Sequence, residues 1–147
     1  MYTRILVPLD GSKLAEQVLP YVRFLAKGLK TRIELLRVFY PAPLEAAYLA
    51  QRMYPPQIIA GMSQHARDYL ETIAESLRKD GLTVLSTVPE GRVDSYIVSE
   101  AEKDPTTLIA MSTHGHGFIK DVILGSVADT LRHHTDIPIL MIRASVK

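Results

Sequence analysis

The chain has 147 residues, of which 47% are hydrophobic and 22% are charged, with a formal net charge of +1 and no cysteine. This composition is typical of a globular domain large enough to bury a full core, and the small net charge offers no one-signed field for nucleic acid or a membrane surface. The lack of cysteine excludes disulfides, thiolate metal sites and thiol catalysis.

The start of the chain lacks the features of a targeting segment. The first apolar run, at Ile5, has neither the long apolar core nor the small-residue cleavage site of a signal peptide. No apolar run approaches the roughly 20 residues that a membrane-spanning helix needs. We therefore expect a cytoplasmic protein.

Short apolar runs alternate along the chain with longer segments of helical periodicity. The first run is Ile5–Val7, and the turn Pro8–Ser12 follows it. The next segment predicts a helix with Ser12 as its N-cap, a kink at Pro20 and a stop at Lys27–Gly28. The apolar residues that define its stripe are Leu14, Val18, Tyr21, Val22, Leu25 and Leu29.

The same alternation continues to the end of the chain. Further strands are predicted over 33–40, 82–88, 107–111 and 137–142, and further helices over 58–79, 91–103 and from near 127 to 134. The proline-punctuated segment from Pro41 to Pro56 is predicted to be a loop, and Asp80-Gly81 to end the long helix. The residues predicted to face inward are Ala66, Leu70, Ile73 and Leu77 in the long helix and Val93, Ile97 and Ala101 in the next.

This order of elements predicts an α/β fold. Strands separated by helices run parallel, because each crossover returns the chain to the same end of the sheet. The sequence therefore predicts an open, doubly wound, five-stranded parallel sheet of the Rossmann-like type, in a single domain over residues 1–147. Such sheets bind ligands beyond the carboxyl ends of their strands, so we expect Pro8–Ser12 and Ser112–Gly117 at the binding site.

The strongest functional pattern lies in the last third of the chain. Ser112-Thr113-His114-Gly115-His116-Gly117 follows a predicted strand, and Gly125-Ser126 opens a predicted helix. A helix N-terminus presents unpaired N–H groups, and glycine lets a phosphate approach the backbone closely. The pattern fits a phosphate cradle, but it also fits two ordinary glycine turns with Ser126 as an N-cap, and spacing alone favours the turns.

The segment from Met111 to Arg143 resembles the C-terminal signature of the universal stress protein family, whose ATP-binding members carry G-x2-G-x9-G-[ST]. Gly115, nine intervening residues and Gly125-Ser126 match this motif, whereas Ser112 replaces its first glycine. Residues 5–12 resemble the family's first strand and turn, and residues 136–143 its last strand. The resemblance covers essentially the whole chain and implies the adenine nucleotide alpha hydrolase-like variant of the fold.

The resemblance implies an ATP-binding regulatory module in stress response, with Mg²⁺ carried by the phosphates rather than by a protein cage. The residues implied at the adenosine end are Pro8, Leu9, Asp10, Val38, Met111 and Ser112, and those implied at the phosphates are Gly115, Gly125, Ser126 and Val127. Asp10 would accept a hydrogen bond from a ribose hydroxyl or an adenine amine, unless it only caps its own Asp-Gly-Ser turn. Because no general base for an attacking water is evident, we expect slow ATP hydrolysis or none, and no catalytic or metal-ligating residues.

The final strand, from Ile137 to Ile142, is expected at an edge of the sheet, where an apolar strand associates unless it is covered. In the family this strand commonly pairs across a dimer axis, so the resemblance implies a homodimer. Ser112 keeps open a second interpretation, a dimeric interaction module of the same fold that binds no nucleotide. A pyrophosphate-loop enzyme is disfavoured, because such enzymes carry Ser-Gly-Gly-x-Asp-Ser where this chain has Asp10-Gly11-Ser12-Lys13.

Overall fold

Strands and helices alternate through the described part of the chain, which comprises residues 1–39, 56–113 and 124–145 of a computed structural model. In chain order the elements are β1 (Arg4–Pro8), α1 (Lys13–Glu16), α2 (Leu19–Leu29), β2 (Arg32–Leu36), α3 (Pro56–Lys79), β3 (Val84–Thr87), α4 (Val93–Glu102), β4 (Thr107–Thr113), α5 (Leu124–His134) and β5 (Ile139–Arg143). No helix in these ranges is long and apolar enough to span a membrane.

The strands form one parallel sheet in the order β3-β2-β1-β4-β5. The chain moves outward from β1 through β2 to β3 and then returns to the other side of β1, where β4 and β5 complete the sheet. The strand order therefore reverses between β1 and β4. This topology confirms the predicted doubly wound, five-stranded fold.

The core lies on both faces of the central strands. All residues of β1 are buried, as are all residues of β4 except Thr113, because helices cover the sheet on each side. Helix α3 packs on β2 and β3 through the face of Leu70, Ala74 and Leu77, and α4 packs on β4 through Ile97 and Ala101. Of the residues predicted to face inward, Ile73 and Val93 are only half-buried.

The single helix predicted after β1 is two helices, which is a correction. Ser12 is the N-cap, as predicted, and its Oγ accepts a hydrogen bond from the N–H of Ala15 at 3.1 Å. Helix α1 then ends at Glu16, and Pro20 is the second residue of α2 rather than an interior kink. Proline has no N–H and its ring collides with the carbonyl four residues earlier, here that of Glu16. In the first turn of a helix, neither the missing N–H nor the proline ring disrupts a hydrogen bond of that helix.

The inward face of these helices also differs from the predicted stripe. Ala15, Val18, Val22 and Ala26 are buried, whereas Tyr21 is 51% exposed and Leu29 is 45% exposed. The helix passes the predicted stop at Gly28 and ends at Leu29, followed by Lys30 in a left-handed conformation. The buried face therefore consists of alanines and valines, of which Val18 and Val22 belong to the predicted stripe.

Other boundaries shift by a few residues. Strand β2 is shorter than predicted and β4 is longer, since Ser112 and Thr113 pair with Ile142 and Arg143 of β5. Helix α5 begins at Leu124, three residues before the predicted start near Val127. Helix α3 ends at Lys79, and the following Gly81 has a φ of +79°, as the predicted Asp80-Gly81 stop requires. Residues 40–55, which hold nearly all of the predicted Pro41–Pro56 loop, lie outside the described part.

A buried arginine ties together the amino end of the sheet, away from the expected site. Arg4 donates from Nε to the Thr107 hydroxyl at 2.6 Å and from Nη1 to Glu34 at 2.9 Å and Glu100 at 3.4 Å. Lys103 forms a second ion pair with Glu100 at 2.6 Å. The buried guanidinium is compatible with the core because carboxylates and hydroxyls satisfy its donors.

The two edges of the sheet are different. At the β3 edge, the carbonyls of Thr83 and Thr87 accept hydrogen bonds from β2, so the backbone of Val84 points away from the sheet. Arg78 of α3 donates to this outward carbonyl of Val84 from Nε at 3.1 Å and from Nη2 at 2.9 Å. At the other edge, β5 pairs with β4 alone, and its residues Ile139 to Ile142 are only half-buried.

Candidate functional site

A cavity of about 670 Å³ opens at the carboxyl ends of β1 and β2. Its walls come from the turn after β1, the end of β2, the first half of α3 and the start of α4. The lining residues are Pro8, Leu9, Asp10, Leu36, Arg37, Val38, Phe39, Gly61, Met62, His65, Ala66, Val93 and Ile97. The wall is mainly apolar with a few charged groups, which is the usual composition of a site for a small organic ligand.

The turn after β1 is fixed by three hydrogen bonds. The N–H of Leu9 donates to the carbonyl of Leu36 at 2.8 Å, which joins the turn to the end of β2. Asp10 accepts at Oδ1 from the N–H of Ser12 at 2.8 Å, and Ser12 in turn caps α1. Within the described residues, no donor reaches Oδ2 of Asp10. The carboxylate therefore caps its own turn and still has one oxygen for a ligand.

Gly11 and Arg37 are in close contact behind this turn. Gly11 has a φ of +89°, and a methyl group on it would lie 3.1 Å from Nη1 and Nη2 of Arg37. The guanidinium carbon lies 5.2 Å from the centroid of the Tyr69 ring. Stacked cations and aromatic rings attract each other at this distance. Arg37 is thus held between the turn and α3.

Tyr69 connects this contact to α1. Its hydroxyl donates to Glu16 Oε1 at 3.0 Å, and Lys13 pairs with the other Glu16 oxygen at 2.9 Å. Burial, together with the hydrogen bond to Glu16, raises the pKa of Tyr69 well above its ordinary value of 10.0. The phenol therefore stays neutral and remains a donor over the physiological range.

The end of β4 lies beside β1 at the reversal of strand order. Met111 is fully buried, and Ser112 is 3% exposed with its Oγ donating to the carbonyl of Ala15 at 3.3 Å. Both residues belong to β4 and pair with β5, so the sequence-based placement of Ser112 in a loop is wrong. The serine side chain points toward α1 and does not belong to the cavity wall.

The phosphate residues expected from the sequence lie partly within the described structure. Gly125 and Ser126 are in the first turn of α5, at the positive end of the helix dipole. Because α5 leads into the parallel strand β5, this N-terminus lies at the carboxyl edge of the sheet. Val127 is the fourth residue of α5 and its side chain is buried. Gly115 lies outside the described residues.

The structure brings Pro8, Leu9, Asp10 and Val38 together in one wall of the cavity. The sequence did not point to Arg37 or to the α3 residues Gly61, Met62 and His65. His65 is an exposed residue of α3, and it also lines the cavity. The sequence did contain a signal for Arg37. It is a charged residue in a predicted strand that is otherwise largely apolar, and it directly precedes the expected site residue Val38. No such signal marks the start of α3, because its position depends on the fold.

Metal-ligating side chains do not cluster in the described ranges. Across residues 1–39, 56–113 and 124–145, no three His, Asp or Glu side chains are placed to hold one ion. A cation carried by a ligand's phosphates needs no such cluster.

The model of the universal stress protein family matches residues 1–143 of this chain. The chain belongs to the universal stress protein family. Among family members, Sll1388 of Synechocystis sp. is 29% identical, with 97% of this chain and 98% of that protein covered.

Solved universal stress protein structures share the fold. MJ0577 of Methanocaldococcus jannaschii superimposes with a TM-score of 0.81 at 26% identity, with 100% of this chain and 99% of that chain covered. A universal stress protein family protein from Arabidopsis thaliana, solved with AMP bound, has a TM-score of 0.67 at 14% identity, with 98% and 93% covered. At that identity, the Arabidopsis comparison shows the fold alone.

Proposed function

We propose that this universal stress protein binds ATP, with Mg²⁺ on the nucleotide phosphates, and acts as a homodimeric regulatory module in stress response. The observation that carries the proposal is the cavity at the ends of β1 and β2, whose wall contains Pro8, Leu9, Asp10 and Val38. These are four of the six residues that the family pattern assigns to the adenosine end; the other two are Met111 and Ser112. The Arabidopsis relative with bound AMP supports an adenine nucleotide as the ligand class.

The chemistry of the wall fits an adenosine. The apolar groups suit a flat base, the backbone of Val38 can pair with adenine, and Oδ2 of Asp10 can accept from a ribose hydroxyl. Met111 and Ser112 lie one strand away, at the end of β4. In this proposal the phosphates bind at the N-terminus of α5, where Gly125 and Ser126 lie in the first turn and the helix dipole attracts negative charge. The assignments of Gly115 and of the Val127 amide remain part of this proposal.

Two glycine-to-valine variants test the assignment of the phosphate-binding residues. Isothermal titration with ATP and Mg²⁺ is expected to give saturable binding to the unmodified protein and none to Gly125→Val, because the added side chain blocks the approach to the α5 amides. Gly28→Val is the matched control, since Gly28 lies in α2 with no atom within 4 Å of an added Cβ. Equal binding by all three proteins would refute the phosphate assignment, and no binding by the unmodified protein would refute the function.

We infer that ATP is hydrolysed slowly or not at all. Asp10, the one carboxylate among the described residues of the cavity wall, is assigned to the adenosine end rather than to the γ-phosphate. The protein is therefore expected to bind and release ATP as a reporter of nucleotide level. Fast, saturable phosphate release in a turnover assay would contradict this.

We further propose that the homodimer forms through β5. The carbonyl of Pro138 and the N–H of Ala144 bond to β4, so alternate residues, including Met141, direct their backbone groups outward. An open row of such groups is a template for a second strand. We propose a cytoplasmic location and no nucleic-acid or membrane partner on composition alone.

A proline placed on the outward row tests this interface. Met141→Pro removes an outward N–H but no bond to β4, and it is expected to shift sedimentation from dimer to monomer. Met141→Ala controls for the lost side chain and should stay dimeric. A dimeric Met141→Pro protein would place the interface elsewhere.

Ser112 supports a second candidate, an interaction module without nucleotide. This serine replaces the first motif glycine and is buried against α1. If it closes the site, Ser112→Gly should gain ATP binding that the unmodified protein lacks. Equal affinity of the two proteins for ATP would dismiss this alternative.

A further inference from the structure

Arg37 is the charged residue of the cavity wall that the nucleotide assignment does not use. It is half-buried, and within the described residues its guanidinium makes no hydrogen bond or ion pair. A partly buried cation without an anionic partner loses part of its hydration, and other contacts can offset that loss. Its compensation here is the ring of Tyr69 on one side, at 5.2 Å. On its other side it packs against the backbone of Gly11.

The contact with Gly11 depends on the absence of a side chain. Any Cβ at that position would lie 3.1 Å from two guanidinium nitrogens, so only glycine allows Arg37 to approach this closely. The guanidinium therefore lies next to the residue that follows Asp10. This contact limits how far the turn can move toward Arg37.

The neighbours of Arg37 are themselves held in place. Tyr69 is fixed by its hydrogen bond to Glu16 of α1, and α1 starts at Ser12, the residue that donates to Asp10. The turn, α1, the Tyr69 ring and the guanidinium thus form a closed ring of contacts around Asp10. Asp10 and Arg37 also lie near enough to influence the charge state of Tyr69 in opposite directions.

We propose that Arg37 is a positioning residue, which holds the Asp10–Gly11 turn so that the second carboxylate oxygen of Asp10 meets the ribose hydroxyls of a bound nucleotide. This inference rests on the proposed nucleotide-binding function. A guanidinium suits the task because it is flat, permanently charged and stacks on an aromatic ring. Arg37 acts through Asp10 and does not need to contact the ligand.

The test compares ATP with 2′,3′-dideoxy-ATP, which lacks both ribose hydroxyls, by isothermal titration. Arg37→Met keeps much of the side chain's length but removes its plane and charge. It is expected to weaken ATP binding about tenfold, the size of one lost hydrogen bond to a charged group, and to leave dideoxy-ATP binding unchanged. Asp10→Asn should show the same pattern, and the double variant should lose no more than either single one.

Two further variants complete the design. Tyr69→Leu removes the stacked ring without touching Arg37 and should also reduce the preference for ATP over dideoxy-ATP; it replaces Arg37→Met if that protein fails to fold. Arg67→Met is the control, because Arg67 is an exposed arginine of α3 outside the cavity wall. It should bind both nucleotides like the unmodified protein.

The outcomes separate this proposal from the function on which it rests. Equal weakening of both nucleotides in Arg37→Met would mean a general structural role, and no weakening would mean no role; either result overturns the proposal. A preference for ATP that Asp10→Asn does not reduce would also overturn it, since Asp10 would then not contact the ribose. Failure of the unmodified protein to bind any nucleotide overturns the proposed function first, before a variant is measured.

Discussion

Replacing Gly11 with alanine tests the contact behind the turn through stability. Gly11 has a φ of +89°, and an L-residue in a left-handed conformation costs about 1–2 kcal/mol. The added methyl group also lies 3.1 Å from the Arg37 guanidinium, which must shift by a few tenths of an ångström. The two effects together predict that Gly11→Ala lowers the free energy of unfolding by about 2 kcal/mol.

Two other glycines separate the two effects. Gly81 has a φ of +79° with open space around an added Cβ. Backbone strain alone should therefore lower the free energy of unfolding of Gly81→Ala by about 1–2 kcal/mol. Gly28 lies inside α2, also with open space around an added Cβ. Because alanine has a higher helix propensity than glycine, Gly28→Ala should raise the free energy of unfolding by about 0.5–1 kcal/mol. The difference between the free energies of unfolding of Gly11→Ala and Gly81→Ala then measures the cost of the contact between the added methyl group and Arg37.

Urea unfolding followed by far-ultraviolet circular dichroism gives all three free energies from midpoints and slopes. The predicted order of stability is Gly28→Ala, the unmodified protein, Gly81→Ala and Gly11→Ala. If Gly11→Ala is as stable as the unmodified protein, the turn does not have the described conformation. If Gly11→Ala matches Gly81→Ala, the guanidinium moves aside without resistance, and the closed ring of contacts around Asp10 loses its support.

The remaining predictions concern acid stability and the β3 edge. The hydrogen bond from Lys103 is the largest influence holding the pKa of Glu100 below its ordinary value of 4.5, with a smaller share from Arg4. Folded protein therefore binds fewer protons here than unfolded protein, so the stabilisation is present above that value and is lost as pH falls through the lower, folded-state pKa. The urea concentration at the unfolding midpoint should decrease as the pH falls through this acid range, and the decrease should be less steep for Glu100→Gln. Equally steep decreases in the two proteins would contradict this role of Glu100. At the β3 edge, Arg78→Ala should increase concentration-dependent light scattering by freeing the Val84 carbonyl, whereas Lys79→Ala should not; equal scattering would show that the edge needs no cover.

The sequence predicts the architecture well where one residue pattern has one structural meaning. The continuous apolar run at Ile5–Val7 indicates a strand covered on both faces, and β1 is buried throughout. The spacing of Ala66, Leu70 and Leu77 indicates one helix face, and all three are buried. The Asp10-Gly11-Ser12 segment indicates a turn, and the structure shows the expected hydrogen bond from the Ser12 N–H.

Where a sequence pattern has two possible structural meanings, the structure was needed to decide between them. Tyr21 continues the apolar stripe of its helix, but helix α2 exposes half of Tyr21 and buries the smaller Ala26 instead. Ser112 could have faced the ligand or the core, and its hydrogen bond to Ala15 shows that it faces α1. The contacts of Arg37 could not be predicted, since its neighbours Gly11 and Tyr69 come from distant parts of the chain.

The unequal edges of the sheet set an upper limit on assembly. A strand that joins β5 extends the sheet, whereas at β3 the Arg78 guanidinium already holds the outward carbonyl of Val84. Two chains paired through β5 would present β3 at both outer ends of the combined sheet. If the proposed β5 dimer forms and Arg78 covers the β3 edge as expected, growth by strand addition would stop at two copies, and the same fold that permits pairing would discourage fibrils.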